Sequence, residues 1–218
     1  MNAQETLNEI AVQVTGCEKC ALHFSRKNSV PGEGPADAEI MFIGEGPGFY
    51  ENEQGRPFVG QAGKILDELL EIAGLKREKV FICNVVKCRP PSNRDPLPEE
   101  LSACANYLDR HIDAIDPCVI FTLGRFSMAK FLPNARISEI HGHAALIRGK
   151  LIIPMFHTAA ALHQPSLKPI MLEDFKMLPK SLEQMKKGKS PAPAVENVPE
   201  KPAVPPQDDP SAEQLSLF

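Results

Sequence analysis

The residues of this chain best suited to chemistry are four cysteines and one glycine-rich segment. Cys17-Glu18-Lys19-Cys20 is a CxxC pair, and Cys88 and Cys104 stand far downstream with fifteen residues between them. Two close thiolates and two distant ones can close a tetrahedral four-sulfur site. Spacing alone does not separate zinc from an iron–sulfur cluster. A thioredoxin-type redox pair is a third reading, disfavoured because this CxxC precedes the first predicted strand instead of opening a helix after one. Cys83 and Cys118 fall within apolar strand-like runs and are expected to behave as buried small hydrophobes.

The second feature is GEGPGFYENEQGRPFVGQAG, residues 44–63, with six glycines. Two phosphate readings fail on spacing. In a P-loop, Gly63-Lys64 would be followed by Ser or Thr, but Ile65 stands there, and the upstream glycine would fall on Phe58. The dinucleotide pattern starts with Gly44-Glu45-Gly46, but its third glycine would fall on Phe49. Glu45 and Glu51 would also repel phosphate. Glycine here suits close approach of backbone N–H groups to a neutral polar ligand. Phe58 offers a face for a flat ring, Asn84 a donor and an acceptor for a base edge, and His157 a group to stabilise developing negative charge. Together they suggest a nucleobase pocket.

These residues need elements to bring them together. Residues 3–14 read as a helix. The short apolar run 38–44 reads as a buried strand. A helix over 62–74 stops on Gly74. Strands follow at 79–85 and 118–124, with a helix between them over 98–115 that opens on Pro98 and two glutamates. A short helix covers 125–132. Residues 143–157 form a hairpin turning at Arg148-Gly149, whose second arm is a fourth buried strand. A last helix runs from about 169 into the 180s. This alternation predicts an α/β fold, a three-layer α/β/α sandwich with a mostly parallel central sheet. GEGPG, Asn84, Gly124 and His157 each follow or end a predicted strand, and the ligand crevice of such sheets lies beyond the strand carboxyl ends.

The chain has 218 residues, 43% hydrophobic and 24% charged, which fits one folded domain and a tail. The division is expected at 1–179 and 180–218. The second part is Pro-, Ala- and Lys-rich and too poor in large apolar residues to offset chain entropy, so it is expected to be disordered. No apolar run is long enough to span a bilayer. The N-terminus lacks the basic flank and apolar core of a secretory signal, so a cytoplasmic protein with reduced thiols is expected, with no membrane partner. The net charge of −4 gives no basic footprint. Contacts with nucleic acid would fall to local cations such as Lys87, Arg89 and Arg94 and to helix N-termini.

GEGPGFYENEQGRPFVGQAGKILDELL, ICNVVKCRPPSNRDPLPEELSAC and FHTAAALHQP resemble the signature segments of family 4 uracil-DNA glycosylases. The resemblance covers about residues 14–179. It implies a [4Fe–4S] cluster on Cys17, Cys20, Cys88 and Cys104. It implies excision of uracil from DNA, single- or double-stranded, by hydrolysis of the N-glycosidic bond, leaving an abasic site. By motif position, His157 would act in the second catalytic segment and Glu45 would line the uracil pocket, where it is the first catalytic candidate for positioning the water. Gly44 and Gly46 would line the uracil pocket, Glu51 would support it, Phe58 would stack on the base and Asn84 would read its edge. The family's second catalytic segment opens His-Pro. Here it is His157-Thr158, so the implied insertion of residues 158–163 into DNA lacks its proline. No histidine-containing insertion follows the Asn84 segment and no motif lysine stands as a Schiff-base nucleophile, so a monofunctional enzyme without covalent trapping is expected. A monomer, nucleoid-associated through its DNA substrate, is expected as well. The alternative is a non-catalytic, metal-containing nucleic-acid-binding module of the same fold. The terminal Gln214, Leu215, Leu217 and Phe218 resemble the peptide by which bacterial DNA-processing proteins dock on the replication sliding clamp.

Overall fold

The computed structural model describes residues 2–186. The helices are α1 (Ala3–Thr15), α2 (Phe49–Gln54), α3 (Gln61–Ile72), α4 (Pro98–Ile115), α5 (Arg125–Ala129), α6 (Ile137–Ile140), α7 (Ala160–His163) and α8 (Leu167–Lys186); the strands are β1 (Ile40–Gly44), β2 (Phe81–Asn84), β3 (Val119–Leu123), β4 (Ala145–Ile147) and β5 (Lys150–Met155). Local sequence explains several of the ends. Asn2 and Glu5 close a reciprocal capping box at the start of α1, each side chain bonding the other's backbone N–H at 2.9 Å. In α4, Pro98 takes the first helical position and Glu100 accepts the Leu97 N–H at 2.8 Å. Arg148 and Gly149 both have positive φ, 49° and 77°, giving the two-residue hairpin turn that joins β4 to β5.

The sheet order is β2-β1-β3-β5-β4. The first four strands are parallel, and β4 adds an antiparallel edge. Alternate strand residues point to opposite faces, and both faces are covered. On one side Phe42, Phe121, Ile82 and Ile153 meet Leu66, Leu69 and Leu70 of α3 and Met171 and Phe175 of α8. On the other, Met41, Ile43, Cys83 and Ile120 meet Ile10 and Val14 of α1 and Leu108 and Ile112 of α4. This is the expected three-layer α/β/α sandwich. The chain passes from β1 outward to β2 and then back across β1 to β3, so the switch point that opens a ligand crevice lies at the carboxyl end of β1.

The structure differs from the sequence expectations in a few places. Cys118 is exposed, not buried. It lies one residue before β3, at the amino end of the sheet, where its backbone bonds Glu39 and Leu151 but no helix covers its side chain. The glycine segment contains the helix α2, which closes on Gly55 in the left-handed region (φ 70°). That helix is short and polar and has no apolar period to reveal it. Helix α5 ends at Ala129, earlier than expected. Helix α8 continues to Lys186, beyond the change of composition at 179; residues 187–218, with the Gln214–Phe218 peptide, lie outside the described residues. No helix among the described residues is long and apolar enough to cross a membrane.

Candidate active site

A cleft of about 280 Å³ opens at the carboxyl ends of β1, β2 and β5. Glu45, Gly46, Glu51, Phe58, Asn84 and His157 all line it, from four separate segments. Gly44 does not line the cleft but lies beneath it. It pairs in register with Asn84, and a Cβ on it would overlap Asn84 Oδ1 and come within 2.6 Å of the Phe58 ring. The glycine lets the amide and the ring stand side by side.

Asn84 is 1% exposed, and its Oδ1 has no hydrogen-bond partner among the described residues. A buried acceptor left unpaired is costly and marks a place where a ligand donor belongs. Phe58 has φ 51°, unusual for a residue with a side chain. Two features hold it there. Glu51, itself buried, accepts the next two backbone N–H groups, Val59 and Gly60, on one oxygen at 2.9 Å each. Gly63 allows the first turn of α3 to press on the Phe58 backbone, which any side chain would block. The Phe58 and His157 rings lie 5.8 Å apart, tilted by 32°.

His157 stands two residues beyond β5. Its Nδ1 accepts the Ala159 N–H at 3.1 Å. Burial depresses its pKa to about 4, against a smaller upward pull from Glu51. The ring is therefore neutral at pH 7, with its proton on Nε2, the free nitrogen. Gly124, at φ 90°, makes room for it: a Cβ there would lie 3.1 Å from that of His157. Glu45 is raised to about 7, first by burial and then by Asp95, with Arg125 opposing. It is the cleft carboxyl poised to exchange a proton near neutrality.

The structure assembles the rim from segments that the sequence named separately. Phe49 and Tyr50 are about half exposed on α2; the Arg89 guanidinium lies 5.4 Å from the centre of the Phe49 ring and donates to Asn93 Oδ1 at 2.7 Å. Leu162 and His163 of α7 complete the opposite lip. The aromatic pair was visible in the sequence, but only α2 turns it toward the cleft. The expected surface cations fare unevenly. Lys87 is 1% exposed and cannot meet nucleic acid. Arg94 spends both terminal nitrogens on buried Glu100, at 2.7 and 2.9 Å.

The cysteines converge elsewhere. Cys17, Cys20, Cys88 and Cys104 line one small cavity with Arg26, Lys87 and Tyr107. Burial pushes the Cys88 thiol up and that of Cys104 up to about 11. Arg26 donates to Cys88 Sγ at 3.2 Å and to the Cys17 carbonyl at 2.7 Å. Among the described residues no three His, Cys, Asp or Glu side chains are grouped closely enough to hold a single metal ion.

The family model of the uracil DNA glycosylase superfamily matches residues 31–183. The type-4 uracil-DNA glycosylase of Sulfurisphaera tokodaii is 48% identical over 186 residues, covering 80% of this chain and 84% of its own. That of Saccharolobus solfataricus is 46% identical over 192 residues, 82% and 87% of the two chains. That of Archaeoglobus fulgidus is 46% identical over 184 residues, 80% and 92%. With a parallel sheet whose switch-point cleft gathers the matched motifs, and with relatives of this grade along most of both chains, this chain belongs to the uracil DNA glycosylase superfamily, in its type-4 branch.

Proposed function

We propose that this chain releases uracil from DNA by hydrolysing the N-glycosidic bond. The observation that carries the reading is the unpaired, buried Oδ1 of Asn84 beside the Phe58 ring. Uracil presents N3–H as a donor and O4 as an acceptor, which the Asn84 amide matches with Oδ1 and Nδ2. Cytosine reverses both and leaves buried groups unpaired, a mismatch that discriminates by roughly 10⁴ or more. The target nucleotide must leave the stack to reach the cleft, at a cost of a few kcal/mol that is smallest in single strands and mismatches. Phe49, Tyr50 and Leu162 at the mouth suit contact with the bases left behind, and a thymine methyl would be refused by steric fit against residues 49–51 or Phe58.

As the glycosidic bond breaks, electrons pass to the uracil ring and negative charge grows on O2. A neutral His157 donating Nε2–H stabilises that charge without having to lose a proton first. Glu45, partly ionised at neutral pH, orients and deprotonates the water that adds to the sugar. Glu51 acts through shape, holding Phe58 against the base. The products are free uracil and an abasic site.

The four cysteines suit a [4Fe–4S] cluster. Their thiols line one cavity, and Arg26 and Lys87 supply positive charge around it. When bound, the group cross-links the N-terminal segment to the 88–104 region. The C-terminal Gln214, Leu215, Leu217 and Phe218 would tether the enzyme to a replication sliding clamp.

The test is release of free uracil from a uracil-containing oligonucleotide by the wild type, Asn84→Ala and His157→Ala. Loss of at least 100-fold is expected in both variants; wild-type rates in both would overturn the assignment. Iron content of the purified protein, lost in Cys88→Ala, tests the cluster.

A further inference from the structure

Lys87 is among the largest fully buried side chains of the molecule. A cation in such a place needs counter-charge and acceptors, because a buried unpaired charge is strongly unfavourable. None of the ion pairs formed among the described residues includes it. What it faces is mainly sulfur, with the His111 ring also in electrostatic reach. Lys87 lines the cavity of Cys17, Cys20, Cys88 and Cys104, and it interacts electrostatically with Cys104 and with Cys83. Arg26 flanks the same cavity and donates to Cys88 Sγ. Two cations around four thiols are the complement of an anionic, thiolate-held group.

In the other direction Lys87 reaches the residue that reads the base. Its Nζ donates to the main-chain oxygen of Asn84 at 2.7 Å. The strand explains why that oxygen is available. Ile82 exchanges both backbone hydrogen bonds with Glu33 on the outer edge of β2. Backbone groups alternate sides along a strand, so Asn84, two residues on, turns its carbonyl to the same outer edge. The bridge to Glu33 is isolated and does not extend to Asn84. The Lys87 ammonium stands in for the missing strand.

We infer that Lys87 is a positioning residue: it fixes Asn84 from behind and would itself be held by the negative charge that the four cysteines carry when they ligate the cluster, so that one buried side chain couples the two sites. This rests on the reading that Asn84 binds uracil. It gives the cysteine site a bearing on base recognition that needs no electron transfer.

The experiment measures affinity for free uracil by titration, beside affinity for an abasic-site oligonucleotide and iron content, in Lys87→Met, Asn84→Ala and the double variant. Lys87→Met keeps an unbranched side chain, one atom shorter, and removes the charge. It is expected to weaken uracil binding at least tenfold and to change abasic-DNA binding less than twofold. Adding it to Asn84→Ala is expected to weaken uracil binding no further, because both changes break one unit. Wild-type uracil affinity in Lys87→Met, or losses that add in full, would overturn the inference. If Lys87→Met does not fold, Lys87→Arg decides: retaining the cation, it is expected to stay within threefold of the wild type, and a loss as deep as that of Asn84→Ala would overturn it. Uracil release by the wild type is measured in parallel. Its absence removes the functional reading and this inference together, whereas its presence with an unaffected Lys87→Met removes the inference alone.

Discussion

Glu51 offers the sharpest test of how the pocket is held. A carboxylate in a catalytic cleft invites a chemical role, but its geometry is that of a brace. One oxygen accepts both Val59 N–H and Gly60 N–H at 2.9 Å, fixing the turn that carries Phe58 at its unusual positive φ. Glu51→Ala removes two charge-assisted hydrogen bonds and leaves a buried N–H unpaired, at a cost of about 2–5 kcal/mol. For a domain of this size that lowers Tm by roughly 5–15 °C. Displacing Phe58 by an ångström should also slow uracil release by about 100-fold. Glu51→Gln keeps an oxygen that can accept both N–H groups, so it should cost only about 1–2 kcal/mol, since neutral acceptors are roughly half as strong. His157 stays neutral in both variants, because Glu51 only opposes the downward push of burial. Uracil release by Glu51→Gln is therefore expected within about tenfold of the wild type. Thermal melts and single-turnover uracil release decide. If Glu51→Gln is as slow as Glu51→Ala while melting near the wild type, Glu51 acts by charge and the brace is refuted.

Three further outcomes follow from the same geometry. With Glu45 near 7, kcat/KM should rise as pH increases through about 7, and Glu45→Gln should lose that limb in a pH–rate profile and slow the reaction by about 10²–10⁴. His157 sits at about 4 against an ordinary 6.5, so the unfolded chain binds the extra proton first; stability should fall as pH drops from about 6.5 to 4, and denaturant melts of His157→Ala should lose that part of the slope. Gly44→Ala should abolish uracil binding while the protein remains folded, because the added methyl strikes Asn84 and Phe58; a crystal soak or titration showing wild-type uracil affinity would contradict the packing described.

Much of the frame was legible in the sequence. Short, largely apolar runs such as Met41–Ile43 and Val119–Leu123 read as strands buried on both faces, and their alternation with amphipathic helices leads to a parallel sheet with two covering layers. The i, i+3, i+4 spacing of Ile65, Leu66, Leu69 and Leu70 marked α3, and the Arg148-Gly149 turn marked the hairpin. The residues that line the cleft were legible as types, because Glu45, Asn84 and His157 each follow or end a strand, where the crevice of such a sheet must open.

Other features exist only in three dimensions. Lys87 reads in sequence as a basic residue available to nucleic acid. The fold buries it, because the segment after β2 turns inward between the sheet edge and the cysteine cavity. Cys118 reads as a core thiol, but one residue's offset from the start of β3 leaves it outside the covered sheet. The tautomer of His157 depends on a contact with Ala159 N–H, and the ionisation of Glu45 depends on burial by segments far apart in the chain. Periodicity and turn chemistry are local properties, so the sequence alone determines the sheet strands, the long helices and the edge at which they deliver their polar residues. Burial and charge pairing are sums over distant segments, and only the tertiary structure decided which of those residues are held neutral, which are left unpaired for a ligand, and which serve as braces.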